Sequence, residues 1–254
     1  MKNMKDNRYQ INYSLINPKI LEYNVRLKKA EKILAILEDF LDKRRLNKAI
    51  CLDIGCSIGA TGTIIGPKVK NFIGVDIDKS AIELAKKANH RKNVRFELGD
   101  AMNLNLKSKT IDVIICNQVY EHVPNQNKLF KEIYRVLKDD GICYLGAVNR
   151  FCIIEPHTKL PFLSWFPKQM ANFYIKIAKG EEKYYESLNS YWELKRNLRK
   201  FEINDYTLRV IRETEKFHAE DVIGKNSFLK IAPNLIFKSL IFCFPSWIWV
   251  LKKL

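Results

Sequence analysis

Several features that would define other classes of protein are missing from this 254-residue chain. Residues 1–12 are polar and basic and lack the apolar core of a secretory signal peptide, which predicts a cytoplasmic protein. The apolar tail, residues 235–251, contains a lysine and Pro245 and is short for a membrane-spanning helix. The six cysteines have no zinc-type spacing, so we expect reduced thiols that pack as small core residues.

Acidic residues are also scarce. The chain has 28 Asp and Glu against 44 Lys and Arg, which gives a net charge of +16. The basic residues are spread over predicted helices and loops, and the abundance of Asn and Ile is typical of an AT-biased genome. Two interpretations therefore stay open: the charge is compositional, or a basic face binds anionic lipid head groups or nucleic acid.

The most informative segment present is residues 50–76. An apolar run, Ile50–Ile54, predicts a buried parallel strand, and Gly55 and Gly59 after it allow a sharp turn close to a ligand. A second apolar run ends at Asp76, whose carboxylate can accept both hydroxyls of a ribose. The glycine spacing is not G-x-G-x-x-G, and Asp53 before the turn disfavours a pyrophosphate but suits a sulfonium or amino group.

Two further strands are predicted downstream. Residues 93–99 form the third strand and residues 111–116 the fourth. The carboxyl ends of strands in an open α/β sheet are where ligands bind. The polar residues that follow these two strands are therefore candidates for a ligand site, namely Asp100, Asn117, Gln118, Tyr120, Glu121 and His122.

In combination these motifs resemble the class I S-adenosylmethionine-dependent methyltransferases, the broad type that includes ubiquinone-pathway and small-metabolite enzymes. The resemblance covers roughly residues 30–150. Its motifs are LDIGCSIG at 52–59, VDID at 75–78, GDAMNL at 99–104, IDVIICNQVYEHV at 111–123 and the segment 129–149.

The resemblance implies a Rossmann-like, doubly wound α/β sheet of seven mostly parallel strands in the order 3-2-1-4-5-7-6, with S-adenosylmethionine as methyl donor. It also implies a role for each matching residue. Backbone at Gly55, Cys56, Ser57 and Gly59 would line the methionine part, Asp76 would bind the ribose and Ile77 would pack on adenine. Asp100 and Ala101 would contact the adenine edge, Asn117 and Gln118 would border the methyl group, and Asp53 would organise the loop.

One position departs from some relatives. These carry Glu-x-x-Glu-His after the fourth strand and use it to hold a divalent metal, but the first Glu is Gln118 here. Gln118, Glu121 and His122 make a weak site for a hard cation, since Mg²⁺ prefers several oxygen ligands. We therefore predict no metal, with Glu121 and His122 opening a loop and hydrogen-bonding locally.

The remaining segments are predicted as additions to one enzyme domain, residues 46–254. Residues 1–45 form a helical extension, with a helical rhythm over 18–45, that packs on the sheet edge or covers the cofactor. Residues 150–190 form an apolar cap over the acceptor. Beyond the cap we expect a helix at 184–201, a sixth strand at 206–211, and an apolar helix plus the seventh strand within 226–254.

His157 in the cap is the best candidate for a general base, because an imidazole can take a hydroxyl proton at neutral pH. Glu121, His122 and Glu155 compete for that role. An equally open alternative is that His157 hydrogen-bonds a loop carbonyl beside Pro156.

The leading functional hypothesis is methyl transfer to an oxygen of a small-molecule, lipid-linked or glycan acceptor. The rivals are an RNA methyltransferase, a non-catalytic donor-binding scaffold and a nicotinamide oxidoreductase. Against an RNA methyltransferase, the sequence has no Asn-Pro-Pro-Tyr type motif after the fourth strand and no appended binding module. Nucleic acid is therefore the less favoured acceptor. The oligomeric state is not predicted.

Overall fold

The computed structural model describes residues 11, 14, 22–181, 183–221, 223–224, 227–231 and 233–254. Of the helical extension predicted for residues 1–45, residues 1–10, 12–13 and 15–21 lie outside the described residues, as do a few positions nearer the C-terminus. The described chain has seven strands: β1 Ile50–Ile54, β2 Asn71–Asp76, β3 Val94–Leu98, β4 Ile111–Asn117, β5 Leu137–Val148, β6 Phe201–Asp205 and β7 Ser246–Lys253.

All seven strands form one sheet in the order β3-β2-β1-β4-β5-β7-β6. Strands β1 to β5 pair in parallel, whereas β7 runs antiparallel between β5 and β6. The predicted fold class and strand order are thus confirmed. The direction of winding reverses between β1 and β4, which opens a crevice at the carboxyl ends of these two strands.

Helices cover both faces of the sheet. They are α1 Tyr23–Phe40, α2 Lys43–Lys48, α3 Ala60–Ile65, α4 Lys79–Ala88, α5 Gln126–Val136, α6 Lys168–Lys179, α7 Tyr191–Asn197, α8 Thr207–Arg212 and α9 Asn234–Leu240. Among these described helices, none combines the length and apolar character needed to cross a bilayer.

The core consists of two layers because successive strand residues point to opposite faces of the sheet. Cys51 and Val113 pack on the layer beneath α1, while their neighbours Leu52 and Ile114 pack on the layer beneath α5. Each layer therefore fixes its helices against the sheet, and the strands that carry the site are buried on both sides.

The N-terminal helix α1 lies against the loop that follows β1. Its buried residues Ala30, Ile33 and Leu37 share one face, and Tyr23 hydrogen-bonds Thr63 of α3 through their hydroxyls at 2.7 Å. The helical pattern predicted for residues 18–45 is observed from Tyr23 onward. It is divided at Leu41 into α1 and α2.

Two elements near the C-terminus differ from prediction. The sixth strand is Phe201–Asp205, and most of the segment 206–211, which was expected to form that strand, belongs to the helix α8. The helix expected over 184–201 covers only Tyr191–Asn197. Ser190 starts it there, since its side chain and that of Glu193 form a reciprocal capping box.

The cysteines behave as predicted with one exception. Cys51, Cys56, Cys116 and Cys143 are buried thiols in or beside the central strands, and burial raises the pKa of each. Cys243, expected in the core, is exposed.

Candidate active site

The loop after β1 is held in an unusual backbone conformation. Gly55, Ser57 and Gly59 have φ values of +73°, +48° and +80°. The amides of Gly55 and Cys56 both donate to the Val75 carbonyl, at 2.8 and 3.2 Å, so the loop folds back over β2. This turn places bare backbone at the mouth of the crevice between β1 and β4.

Gly55 has no room for a side chain. A Cβ there would lie 2.5 Å from a methyl carbon of Val119, which belongs to the loop after β4. The two loops that border the crevice are therefore in contact, and the glycine is required both for its positive φ and for this close approach.

Gly55→Ala is expected to lower the melting temperature by about 5 °C or more and to weaken binding of a ligand in the crevice, because strain and overpacking add. Gly180→Ala is the matched control. Gly180 also has a positive φ of +72°, but a Cβ there would meet nothing within 4 Å. The Gly180→Ala variant should lose about 1 kcal/mol of the free energy of unfolding and keep its ligand affinity. Calorimetric unfolding and ligand titration measure both quantities, and equal effects of the two variants would contradict the packing argument.

Asp76 joins the β1 loop to the end of β2. Its Oδ2 accepts the Ser57 amide at 2.7 Å, and its Oδ1 accepts the Asp78 amide at 2.9 Å. Burial raises the pKa of this carboxyl, and these hydrogen bonds oppose that rise. Each oxygen keeps a lone pair beyond these bonds, so the carboxylate can clamp the loop and still accept two hydroxyls.

Asp53 lies beneath this loop and is almost completely buried. Burial raises its pKa to about 7, the nearby Asp76 acts in the same direction, and a hydrogen bond with Thr61 and the charge of Arg26 oppose it.

The end of β3 reaches the same edge. The Gly99 amide donates to the Asp76 carbonyl at 2.9 Å, and Asp100 Oδ1 accepts the Met102 amide at 2.7 Å. Asp100 and Ala101 thus form a tight turn beside Asp76. The residues expected at the adenine and ribose ends of a nucleoside are brought together.

Helix α1 contributes a residue that the sequence did not indicate. Lys29 Nζ donates to Gln118 Oε1 at 2.9 Å, and burial lowers the pKa of this lysine. Gln118 itself has a φ of +57°, and its amide donates to the Gly146 carbonyl at 2.8 Å. The N-terminal helix therefore covers the crevice above Asn117 and Gln118, one of the two placements expected for it.

A second group of polar side chains lies just beyond Gln118. Glu121, His122 and His157 each offer one nitrogen or carboxylate oxygen, and these three atoms lie within 4.8 Å of one another. The rings of His122 and His157 meet edge to face with centroids 4.8 Å apart. All three predicted catalytic residues are thus assembled in one cluster.

Glu121 is the most constrained member of this cluster. Its side chain is 1% exposed, and neither carboxylate oxygen accepts a hydrogen bond from another residue that the structure describes. Burial raises its pKa to about 8, with the carboxylates of Glu186 and Glu155 acting in the same direction. The local hydrogen bonding expected for its side chain is therefore not found, because the carboxylate points into the cluster.

The histidines differ in their surroundings. Burial, together with the neighbouring His157, lowers the pKa of His122 to about 3, so His122 is neutral at physiological pH. His157 Nε2 is buried and has no hydrogen-bond partner among the described residues. The loop-carbonyl alternative for that nitrogen is not observed. Instead, the His157 backbone amide donates to Glu155 Oε2 at 2.9 Å.

The cap supplies the rest of the cluster's walls. Glu155 and Glu186 are buried acids, Tyr184 is a buried phenol, and the Ser187 amide donates to the Glu121 carbonyl at 2.8 Å. Sequence reasoning did not identify Tyr184 or Glu186, since no local motif marks them. Only the return of the cap onto the loop after β4 brings them to the site.

Taken together, the doubly wound sheet, the glycine loop and the acids at its carboxyl edge are the arrangement of the α/β enzymes that bind nucleosides. Residues 52–145 match the protein family described as methyltransferase domain. A ubiquinone biosynthesis O-methyltransferase of Rickettsia canadensis is 31% identical over 66% of this chain and 68% of its own length. The chain belongs to the S-adenosylmethionine-dependent methyltransferases.

Two other similarities agree with this assignment. A demethylmenaquinone methyltransferase of Lactobacillus johnsonii is 33% identical over 48% of this chain and 52% of its own length. The alignments thus span about half to two thirds of these relatives. The PH0226 protein from Pyrococcus horikoshii has the same fold, with a TM-score of 0.65 and 18% identity over 95% of this chain and 98% of its own.

Proposed function

We propose that this methyltransferase transfers the methyl group of S-adenosylmethionine to a hydroxyl oxygen of an apolar acceptor, either a small molecule or one linked to a lipid. The observation that carries the proposal is the Glu121–His122–His157 cluster, in which two residues of the loop after β4 meet a histidine of the segment 150–190. Relatives named for ubiquinone and menaquinone methylation support the acceptor class.

The donor is proposed to bind along the carboxyl edge of the sheet. Asp76 would accept the ribose hydroxyls, Ile77 would lie on one face of adenine, and Asp100 with Ala101 would contact its edge. The methionine part would follow the backbone of Gly55, Cys56, Ser57 and Gly59, with Asp53 supporting the loop. This leaves the methyl group bordered by Asn117 and Gln118, one turn before the cluster.

In the reaction, the acceptor oxygen attacks the methyl carbon, and the carbon–sulfur bond breaks with its electron pair left on sulfur. The sulfonium is already a strong electrophile, so the main task of the enzyme is alignment of donor and acceptor. The hydroxyl must also lose its proton. Among the described residues at this place, His157 Nε2, both Glu121 carboxylate oxygens and Glu155 Oε1 are buried acceptors without hydrogen-bond partners.

Acceptor class is tested with S-adenosylmethionine carrying a labelled methyl group. We compare three matched aromatic acceptors, which carry a phenolic hydroxyl, an amine or no heteroatom. Each is used with and without a prenyl chain, and total RNA is included as a further acceptor. The proposal expects label on the hydroxyl compounds, with faster transfer to the prenylated one. Label on RNA or on the amine alone would contradict it.

An exposed apolar face on the cap supports an acceptor that resides in a membrane. In α6, Ala171 and Ile175 are buried, whereas Phe173 and Ile177 are 68% and 70% exposed on the other side. An apolar groove beside this face is lined by Phe166, Gln169, Met170, Phe173 and Tyr174. Lysines at 176 and 179 end the helix, a charge arrangement that suits anionic lipid.

The double change Phe173→Ser with Ile177→Ser is expected to reduce partitioning onto phosphatidylglycerol-containing vesicles by roughly tenfold or more, since two exposed apolar side chains no longer enter the interface. Leu84→Ser, at an exposed leucine of α4, is the control and should bind like the unchanged protein. Cosedimentation measures both. Equal binding by all three proteins, or no preference for anionic vesicles, would exclude α6 as the membrane contact.

A further inference from the structure

We propose that Glu121, His122 and His157 form a binding site for one divalent transition-metal ion of the zinc type. The site is built from both sides of the cleft, with Glu121 and His122 on the loop after β4 and His157 in the cap. It departs from the sequence-based expectation of no metal, because the position of His157 depends on how the cap folds.

The geometry is close to that of a coordination sphere. Ligand atoms around a tetrahedral ion with bonds of about 2.1 Å stand roughly 3.4 Å apart. The three candidate atoms lie within 4.8 Å of one another, so side-chain rotations that move them by about an ångström complete the set.

Burial supplies the second argument. A buried carboxylate is costly unless it is paired or coordinates a metal. Both oxygens of Glu121 and the Nε2 of His157 are buried and accept no hydrogen bond from other described residues. A cation at their centre would satisfy all of these atoms at once.

The surrounding residues match the usual support of metal-bound histidines. Such a histidine usually has its other ring nitrogen beside a carboxylate, which fixes the orientation of the ring. Glu186 Oε1 lies 4.0 Å from His122 Nδ1, so a carboxylate stands beside this ring. Glu155 holds the His157 segment through the backbone amides of His157 and Thr158, at 2.9 and 2.5 Å.

The donor set also selects the metal. Two imidazoles and one carboxylate suit Zn²⁺, Co²⁺ or Fe²⁺, whereas Mg²⁺ prefers oxygen ligands and octahedral geometry. Three protein ligands leave a coordination position open. A divalent ion in such a site lowers the pKa of a bound hydroxyl. This chemical role rests on the proposed function, but the binding of the ion does not.

Metal binding is tested on the full chain after dialysis against a chelator. Calorimetric titration with Zn²⁺ should give one site per chain with a dissociation constant of micromolar or lower, and Mg²⁺ should bind at least 100-fold more weakly. Titration with Co²⁺ should give the intense visible absorption of a tetrahedral nitrogen–oxygen site. Absence of a one-to-one zinc site, or equal affinity for Mg²⁺, would overturn the proposal.

Variants locate the site. Glu121→Gln and His157→Ala should each reduce zinc affinity by at least tenfold, whereas His90→Ala, at an exposed histidine, should not change it. Glu121→Gln preserves side-chain size, so it guards against loss of folding. Unchanged zinc affinity in both site variants would place the ion elsewhere and overturn the proposal.

The same samples separate this proposal from the proposed function. Zinc binding without methyl transfer to any hydroxyl acceptor would leave the metal site standing and reject the function. Methyl transfer to a hydroxyl acceptor by a chain that binds no zinc would support the proposed function and reject the metal site. If His157 were only a base, His157→Ala would lose turnover and keep its zinc affinity, which would contradict its assignment as a ligand.

Discussion

Replacing Asp76 by alanine is expected to weaken binding of S-adenosylmethionine by about 100-fold or more. The carboxylate holds the β1 loop through the Ser57 amide and also accepts the Asp78 amide after β2, and it is proposed to accept the ribose hydroxyls as well. Hydrogen bonds to a charged group contribute about 1.5–3 kcal/mol each, so loss of two such bonds accounts for the expected change. Isothermal titration with S-adenosylmethionine and S-adenosylhomocysteine measures it.

Asp76→Asn is the companion variant because it keeps the shape of the side chain and one acceptor oxygen. It should bind more tightly than the alanine variant and more weakly than the unchanged protein. Asp139→Ala, at an exposed carboxylate of β5, is the control. Unchanged donor affinity in Asp76→Ala, with a normal melting temperature, would remove Asp76 from the donor site.

The second large effect is expected from His157→Ala. Turnover should fall by about 100-fold or more while donor affinity stays within about twofold, because His157 is proposed to act on the acceptor hydroxyl and not on the donor. The result is the same whether His157 accepts the proton or holds an ion. Single-turnover methyl transfer and donor titration, carried out side by side, separate the two quantities.

His90→Ala is again the matched histidine control and should keep full turnover. An altered donor affinity in His157→Ala would show that the cap acts on the donor side of the cleft. Turnover equal to that of the unchanged protein would make His157 a loop residue.

The glycine turn and the acids at the carboxyl edge of the sheet could be predicted from sequence because they depend on local chemistry. Gly55 and Gly59 mark a turn that requires positive φ, and Asp76 and Asp100 follow strands whose carboxyl ends meet at one edge of a parallel sheet. Hydrophobic runs of strand length locate the central strands, since buried parallel strands are apolar throughout. The order of the strands followed from the resemblance to the methyltransferases.

The sixth strand was misplaced for a physical reason. Residues 201–205 form an edge strand that pairs only with β7, so they alternate and include charged side chains. Residues 206–211 look more apolar, but their buried members Thr207, Val210 and Ile211 follow the spacing of a helix face. The helical spacing of these buried residues, and not the apolar composition of residues 206–211, indicates the observed structure.

The acid–imidazole cluster was only partly predictable. Glu121 and His122 follow β4 directly, but His157 reaches them through the cap, and the cap is held by long-range hydrogen bonds such as Arg150 to Asn189. No local pattern indicates such contacts. Burial of Glu121 without a hydrogen-bond partner is visible only in three dimensions, and it is the feature that suggests a cation.

The crevice at the carboxyl ends of β1 and β4 is proposed to bind S-adenosylmethionine. Parallel isothermal titrations of the purified chain with S-adenosylmethionine, S-adenosylhomocysteine and NADH measure this binding. We expect one site per chain for the first two, with each displacing the other, and no binding of NADH. Binding of NADH in place of S-adenosylmethionine, or of none of the three, would contradict it.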